Sequence, residues 1–243
     1  VRVRPWPFEA PHFAEMARAR AAPRYGGTVA TTLDRELQAA AEARLAAFFA
    51  DDPDRRRRLS GSAVVLDVAT GAVRALAGSP CYFDRERRGA VNGATRVRSP
   101  GSALKPFTYA LAFEKGIATP DSYLADSPAA YSCFAPENFD RAFLGPVPAA
   151  EALSLSLNVP AVRLQERVGT RRLVSVLRSL GLRTLDSAPG RYGLTLTLGG
   201  GEVTLCDLAN AYAALVRLGR YKPWTVVEAN DKTGRATRIT RIS

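Results

Sequence analysis

The sequence predicts an α+β domain, and three observations carry that prediction. Near the front, "SAVVLDVATGAVRALAGSP" holds two β-rich runs around a turn at Thr70 and Gly71, the pattern of an antiparallel hairpin. From residue 102 onward, apolar residues return at helical spacing in several successive segments. Finally, 243 residues at 47% hydrophobic composition suffice for one sizeable core, with or without a small appendage. No internal repeat is visible. The start "VRVRPWPFEAPHF" lacks the apolar stretch of a signal peptide, and no run of about 18 apolar residues occurs, so the chain as given is expected to be soluble.

Taken in order, residues 1–27 are rich in Pro and Arg and read as a linker or pedestal, with the domain proper running over 28–243. "TVATTLDRELQAAAEARLAAFFADD" predicts a helix capped by Thr31 or Thr32, with Leu33, Leu37, Ala40, Ala41, Leu45 and Phe48 on its apolar face. "DDPDRRRRL" is a solvated break before the hairpin, and a loop over 81–98 follows it. "SALKPFTYALAFEKG" predicts a helix stopped by Gly116. A Pro- and aromatic-rich loop over 119–148 precedes two helical stretches broken near Asn158 and Pro160. "TRRLVSVLRSLGL" is a helix closed by Gly181, and "YGLTLTLGGGEVTLCDLANAYAALVRLG" is a strand or loop running into a last helix. "PWTVVEANDKTGRATRITRI" reads as a hairpin with its turn at "ANDKTG".

Composition excludes some chemistries. The net charge of +11, from 34 basic against 23 acidic residues, is Arg-dominated, with only Lys105, Lys115, Lys222 and Lys232 as lysines. Codon bias accounts for such a composition; the functional reading is attraction to a polyanion, and no nucleic-acid motif points to nucleic acid as a partner. Cys81, Cys133 and Cys206 lie far apart with no C-x-x-C spacing, which argues against zinc and thioredoxin-like chemistry and for buried free thiols. The single histidine, His12, sits in the Pro-rich leading segment, outside any triad pattern. No cofactor or metal site is identified.

The chemistry concentrates in "RSPGSALKPF". On a helix, residues three apart share a face, so Ser102 and Lys105 present a hydroxyl and an amine to one point. A serine hydroxyl is a weak nucleophile and needs a base; a lysine serves when burial or a neighbouring cation disfavours its charged form. At a helix start, free backbone N–H groups can stabilise an oxyanion. Pro100 and Gly101 build the turn, and Pro106 falls in the first helical turn, where its missing N–H costs little.

With its surroundings, this stretch resembles the active-serine helix of the penicillin-binding proteins, the serine D,D-transpeptidases. "LSLSLNVPAV" is similar to the family's S-x-N motif at Ser156, Leu157 and Asn158, "LTLGGGEVTLCDLANAYAAL" to its Gly-Gly-x-x-x-Thr segment and helix, and "TTLDRELQAAAE" to its leading helix. The runs "APENFDRAFLGPV" and "EAPHFAEMARAR" look most like the 1C branch of the bifunctional class A enzymes. The resemblance covers nearly the whole chain. It implies the penicillin-binding, serine β-lactamase-like fold, an antiparallel sheet flanked by helices. It also implies that Ser102 is the acylated nucleophile, that Lys105 takes its proton, that Ser156 relays a proton to the leaving amine, and that Asn158 orients Lys105 and the substrate amide. The implied partners are peptidoglycan stem peptides ending in D-Ala-D-Ala and β-lactam antibiotics, with a glycosyltransferase domain and a membrane anchor expected N-terminal of Val1. The implied location is the periplasmic face of the inner membrane.

The family's third motif is K-T-G, and Lys232-Thr233-Gly234 is read as a hairpin turn that imitates it: it is entered through "EAND" and followed by Arg235. On that reading the domain is C-terminally incomplete, lacking the strand that carries the true motif. Two alternatives to the transpeptidase follow. One is a non-catalytic binding or scaffold module of the same fold. The other is a serine β-lactamase, for which no hydrolytic base is evident near the motifs.

Overall fold

The structure is a computed structural model that describes residues 9–21, 29–50, 59–131, 134–188 and 190–228. The chain divides into two units, Val1–Arg96 with Thr204–Ser243 and Val97–Val203, each described by itself.

In the first unit the expected hairpin forms: β1 (Ala63–Leu66) pairs antiparallel with β2 (Val73–Ala77). Its turn is closed by Asp67, whose carboxylate accepts from the Thr70 N–H at 2.7 Å. Gly71 follows at φ +78, where a Cβ would come within 2.9 Å of the Pro223 carbonyl oxygen, so the position calls for glycine on both counts.

Two helices pack around this hairpin at the front of the chain. α1 (Pro11–Ala21) lies within the 1–27 segment and buries Phe13, Met16 and Ala17 in a cluster with Val73, Leu76, Ala94, Cys206 and Val226. α2 (Arg35–Ala50) begins later than its pattern predicts. The cap is Asp34 instead of Thr31 or Thr32: its carboxylate accepts from the N–H groups of Glu36 and Leu37, both at 3.0 Å. Thr32 stays outside the helix, buried, with its hydroxyl donating to the Val73 carbonyl at 2.7 Å. The expected apolar face also shifts. Leu37 and Phe48 are 41% and 58% exposed, while Gln38 and Phe49 are buried. The cause is a polar residue that hydrophobic periodicity cannot count: the Gln38 amide accepts from Leu76 N–H at 2.7 Å and donates to Leu76 C=O at 3.0 Å, fixing the helix against β2 by two hydrogen bonds.

His12 is also absorbed by the fold. Its Nδ1 accepts from Gly78 N–H at 3.2 Å, which leaves Nε2–H to donate to the Gly89 carbonyl at 2.9 Å. Burial lowers its pKa, consistent with a neutral ring bridging two loops. Of the cysteines, Cys206 is buried as expected, but Cys81 is exposed; Cys133 lies outside the described residues. The stretch from Thr225 adds to the hairpin's edge: Val73 N–H donates to Thr225 C=O at 2.8 Å, and Thr225 N–H to Gly71 C=O at 3.0 Å. The rest of the predicted terminal hairpin, Lys232, Thr233 and Gly234 included, lies outside the described residues.

The second unit is mostly helical. A 3-10 turn (Gly101–Leu104) runs into α3 (Lys105–Glu114), which ends before Gly116 at φ +64. β3 (Tyr123–Asp126) and β4 (Gly145–Pro148) pair antiparallel, Asp126 opposite Gly145. Then come α4 (Ala149–Ser154), α5 (Asn158–Val168), α6 (Thr170–Ser179), closed at Gly181 with φ +103, and a second 3-10 turn (Leu194–Leu198). α5 is the centre of this unit, burying Val159, Ala161, Val162, Leu164 and Val168. The last helix, α7 (Leu205–Val216), belongs to the first unit and is capped by Thr204, whose hydroxyl oxygen accepts from Asp207 N–H. Helices around two-stranded antiparallel sheets make the α+β class that the sequence predicts.

Candidate active site

All four residues singled out by the motifs fall in the second unit, on two chain turns. The first turn presents Ser102. Gly101 takes φ +57, and the Ser99 hydroxyl donates to the Gly199 carbonyl at 2.8 Å, fastening this turn to the glycine-rich segment. The approach is close enough that a Cβ on Gly199, itself at φ +96, would lie 2.4 Å from the Gly101 nitrogen. The second 3-10 turn is held in its own right. Gln165, fully buried on α5, accepts from Thr197 N–H at 2.7 Å and donates to Gly193 C=O at 3.0 Å, while the Thr197 and Thr108 hydroxyls pair at 2.8 Å. Ser102 is left exposed, and its hydroxyl has no hydrogen-bond partner among the described residues.

Lys105, one helical turn on, is 1% exposed. The second chain turn, between α4 and α5, meets it. Ser156 has a left-handed backbone, φ +55, an arrangement costing about 1 kcal/mol or more for a non-glycine residue and imposed here by the end of α4. Ser156 N–H donates to Leu153 C=O at 3.0 Å and Leu157 N–H to Ala152 C=O at 2.9 Å. This twist brings the carbonyl and hydroxyl of Ser156 to the same point. The Lys105 ammonium donates to the Ser156 carbonyl, to Ser156 Oγ at 3.1 Å and to Asn158 Oδ1 at 2.7 Å. Three donors thus meet three acceptors, none of them charged, and burial lowers the Lys105 pKa from 10.5 to about 8. More of the amine is then neutral near pH 7 than in an exposed lysine.

Two polar residues of this neighbourhood carry no motif. Asn158 donates from Nδ2 to the Glu137 carbonyl at 2.7 Å, and its own N–H donates to Asn138 Oδ1 at 2.8 Å. Asn138 in turn donates to both oxygens of Asp126, at 2.9 and 3.0 Å. Asn138 lies in the stretch "APENFD", legible as a family likeness and silent about contacts, and Asp126 lies outside it. Two cavities of this unit, of about 330 and 450 Å³, are lined by residues other than these four.

The family model described as "Penicillin binding protein transpeptidase domain" matches residues 61–241. Penicillin-binding protein 1C of Escherichia coli (strain K12) is 38% identical over 192 residues, which are 79% of this chain and 24% of that protein. Penicillin-binding protein 1A of Aquifex aeolicus is 34% identical over 182 residues, 72% of this chain and 24% of that protein. Among solved structures, the penicillin-binding protein PonA1 from Mycobacterium tuberculosis superposes with a TM-score of 0.73 at 25% identity, covering 90% of this chain and 58% of that one, and a second structure holds PonA1 in complex with penicillin V at the same TM-score. The chain spans about a quarter of the length of the relatives it matches.

Proposed function

The chain belongs to the penicillin-binding protein transpeptidase family, and from that premise we propose that it is the D,D-transpeptidase domain of a bifunctional, class A peptidoglycan synthase, acting through an acyl-enzyme on Ser102. The observation that carries this reading is the exposed Ser102 one helical turn before a buried Lys105 whose ammonium is held by Ser156 and Asn158.

In the proposed reaction, the carbonyl of the penultimate D-Ala of a stem peptide comes to Ser102. The neutral Lys105 amine takes the hydroxyl proton as Oγ bonds to that carbon, and the negative charge moves to the carbonyl oxygen, facing backbone N–H groups at the start of the helix. The tetrahedral intermediate collapses, the C–N bond breaks, and the departing D-Ala amine receives a proton relayed through the Ser156 hydroxyl. An amine of a second stem then attacks the Ser102 ester, forming the cross-link and restoring the serine. A β-lactam enters the same first step, but its opened ring stays tethered and the ester persists. Asn158 holds Lys105 and offers hydrogen bonds to the substrate amide.

In this reading residues 28–243 form the transpeptidase domain, and 1–27, of which α1 is described, connect it to a glycosyltransferase domain and membrane anchor that put it on the periplasmic face of the inner membrane. No helix of the described residues is long and apolar enough to cross a membrane. The test is intact-protein mass after incubation with a reactive penicillin, for wild type and Ser102→Ala. One adduct on the wild type, mapped to Ser102 and absent from the variant, is the expected result. A folded wild type that takes no adduct would leave a non-catalytic scaffold as the better reading.

A further inference from the structure

The buried carboxylate of Asp126 serves no step of the reaction just described, yet it is 0% exposed and no cation pairs with it among the described residues. Its partners are amides. Asn138 Nδ2 spans both carboxylate oxygens, and Leu144 N–H donates to one of them at 2.8 Å. Both Asp126 oxygens accept here, and the Ala142 carbonyl, which can only accept, takes the same Asn138 NH₂ at 2.8 Å, so that group faces Asp126. The amide oxygen of Asn138 therefore points the other way, onto the N–H of Asn158 at 2.8 Å. That N–H opens α5 and has no partner within its own helix. Next to Asn138, the Glu137 carbonyl takes the Asn158 NH₂ at 2.7 Å, which by the same logic leaves Asn158 Oδ1 for Lys105. Asp126 thus orients Asn138, Asn138 holds the backbone N–H of Asn158 at the start of α5, and the carbonyl of the adjoining Glu137 turns the Asn158 amide so that its oxygen meets Lys105.

We propose that Asp126 and Asn138 are positioning residues for the reaction: together they fix the start of α5 and the amide of Asn158, and so keep an acceptor aimed at Lys105. Its catalytic meaning rests on the transpeptidase reading, but its structural content does not. The other groups around the pair are Tyr109, a fully buried phenol whose ionisation is disfavoured by burial and by Asp126, and Glu137, whose carboxylate faces solvent beside Arg141 at 3.9 Å. Neither reaches Lys105 directly, and burial is the cause of the Lys105 shift.

The test reads Lys105 itself. In the intact protein labelled with 13Cε-lysine, the Lys105 signal, one of four from this chain, is assigned by its loss in Lys105→Arg and titrated by NMR. Asn138→Ala removes the orienting amide and keeps the Asp126 carboxyl; Asp126→Asn keeps the shape and replaces one accepting oxygen by an NH₂. Losing an aimed acceptor disfavours the ammonium, so the Lys105 pKa is expected to fall by about half a unit or more in both variants, while the plateau rate of penicillin acylation, read above that pKa where Lys105 is neutral in every protein, is slowed about tenfold by the lost aim. A pKa that stays put in folded variants overturns the proposal. So does a pKa that rises toward 10.5, because simple loosening admits water and raises it, and so does a shift in Asp126→Asn alone, which would be charge acting at a distance. Asn138→Ser takes the place of Asn138→Ala if the latter fails to fold. The titration needs no penicillin, so a wild type that resists acylation would sink the transpeptidase reading while this measurement still decides the positioning role.

Discussion

His12 in the first unit and Lys105 in the second are both buried bases whose charged forms are disfavoured by burial, yet their surroundings differ in kind. His12 touches backbone on both sides, Gly78 N–H and the Gly89 carbonyl, so its ring is used up in joining two loops. Lys105 meets two side chains from a strained turn and stands one helical turn from an exposed serine. A depressed pKa is common to a bridge and to a catalytic base; what separates them is whether the group's partners and neighbours can take part in chemistry.

Lys105→Met should break the comparison most sharply. Acylation by a reactive penicillin is expected to fall by about 10² to 10⁴, the usual span for removing a general base, as followed by stopped-time mass measurement. A fall of less than threefold would place the base elsewhere. His12→Gln should do the opposite. It leaves loop groups badly paired and costs about 1–3 kcal/mol in denaturant unfolding, with the acylation rate of the folded protein unchanged. The sign of its pH effect is set by the lowered pKa: below about 6.5 the unfolded histidine gains a proton that the folded one resists. Wild type should therefore lose stability relative to His12→Gln as pH falls through and below that value, and a difference independent of pH would contradict a neutral, buried ring.

Gly199→Ala sharpens the comparison from the side of the serine turn. The added methyl would meet the Gly101 nitrogen at a left-handed φ, so a loss of a few kcal/mol, on the order of 1–3, is expected together with slower acylation. Asp34→Ala, at the far smaller end, removes only the cap of α2 and should cost about 1 kcal/mol in unfolding with acylation intact.

These contrasts also separate what was legible in the sequence from what was not. The Ser102 to Lys105 spacing was readable because it is local and helix geometry sets its direction, whereas Ser156 and Asn158 were legible through the family resemblance of their stretch. The hairpin at Thr70 and Gly71 was readable for the same reason. Asp126 and Asn138 were not: each looks like an ordinary loop-forming polar residue, and only the pairing of β3 with β4 and the path of 134–144 brings them together. Gln38 escaped likewise, since periodicity scores it as polar and the edge of β2 makes it buried. Asp34 displaced the threonine caps because Thr32 found a better partner in the Val73 carbonyl, 41 residues away.

The most direct test of the central claim is the pH dependence of Ser102 acylation. If Lys105 must be neutral to act, the rate constant should rise about tenfold per pH unit below a midpoint near 8 and level off above it. A rate flat from pH 6 to 9, or an inflection that survives unchanged in Lys105→Met, would contradict it.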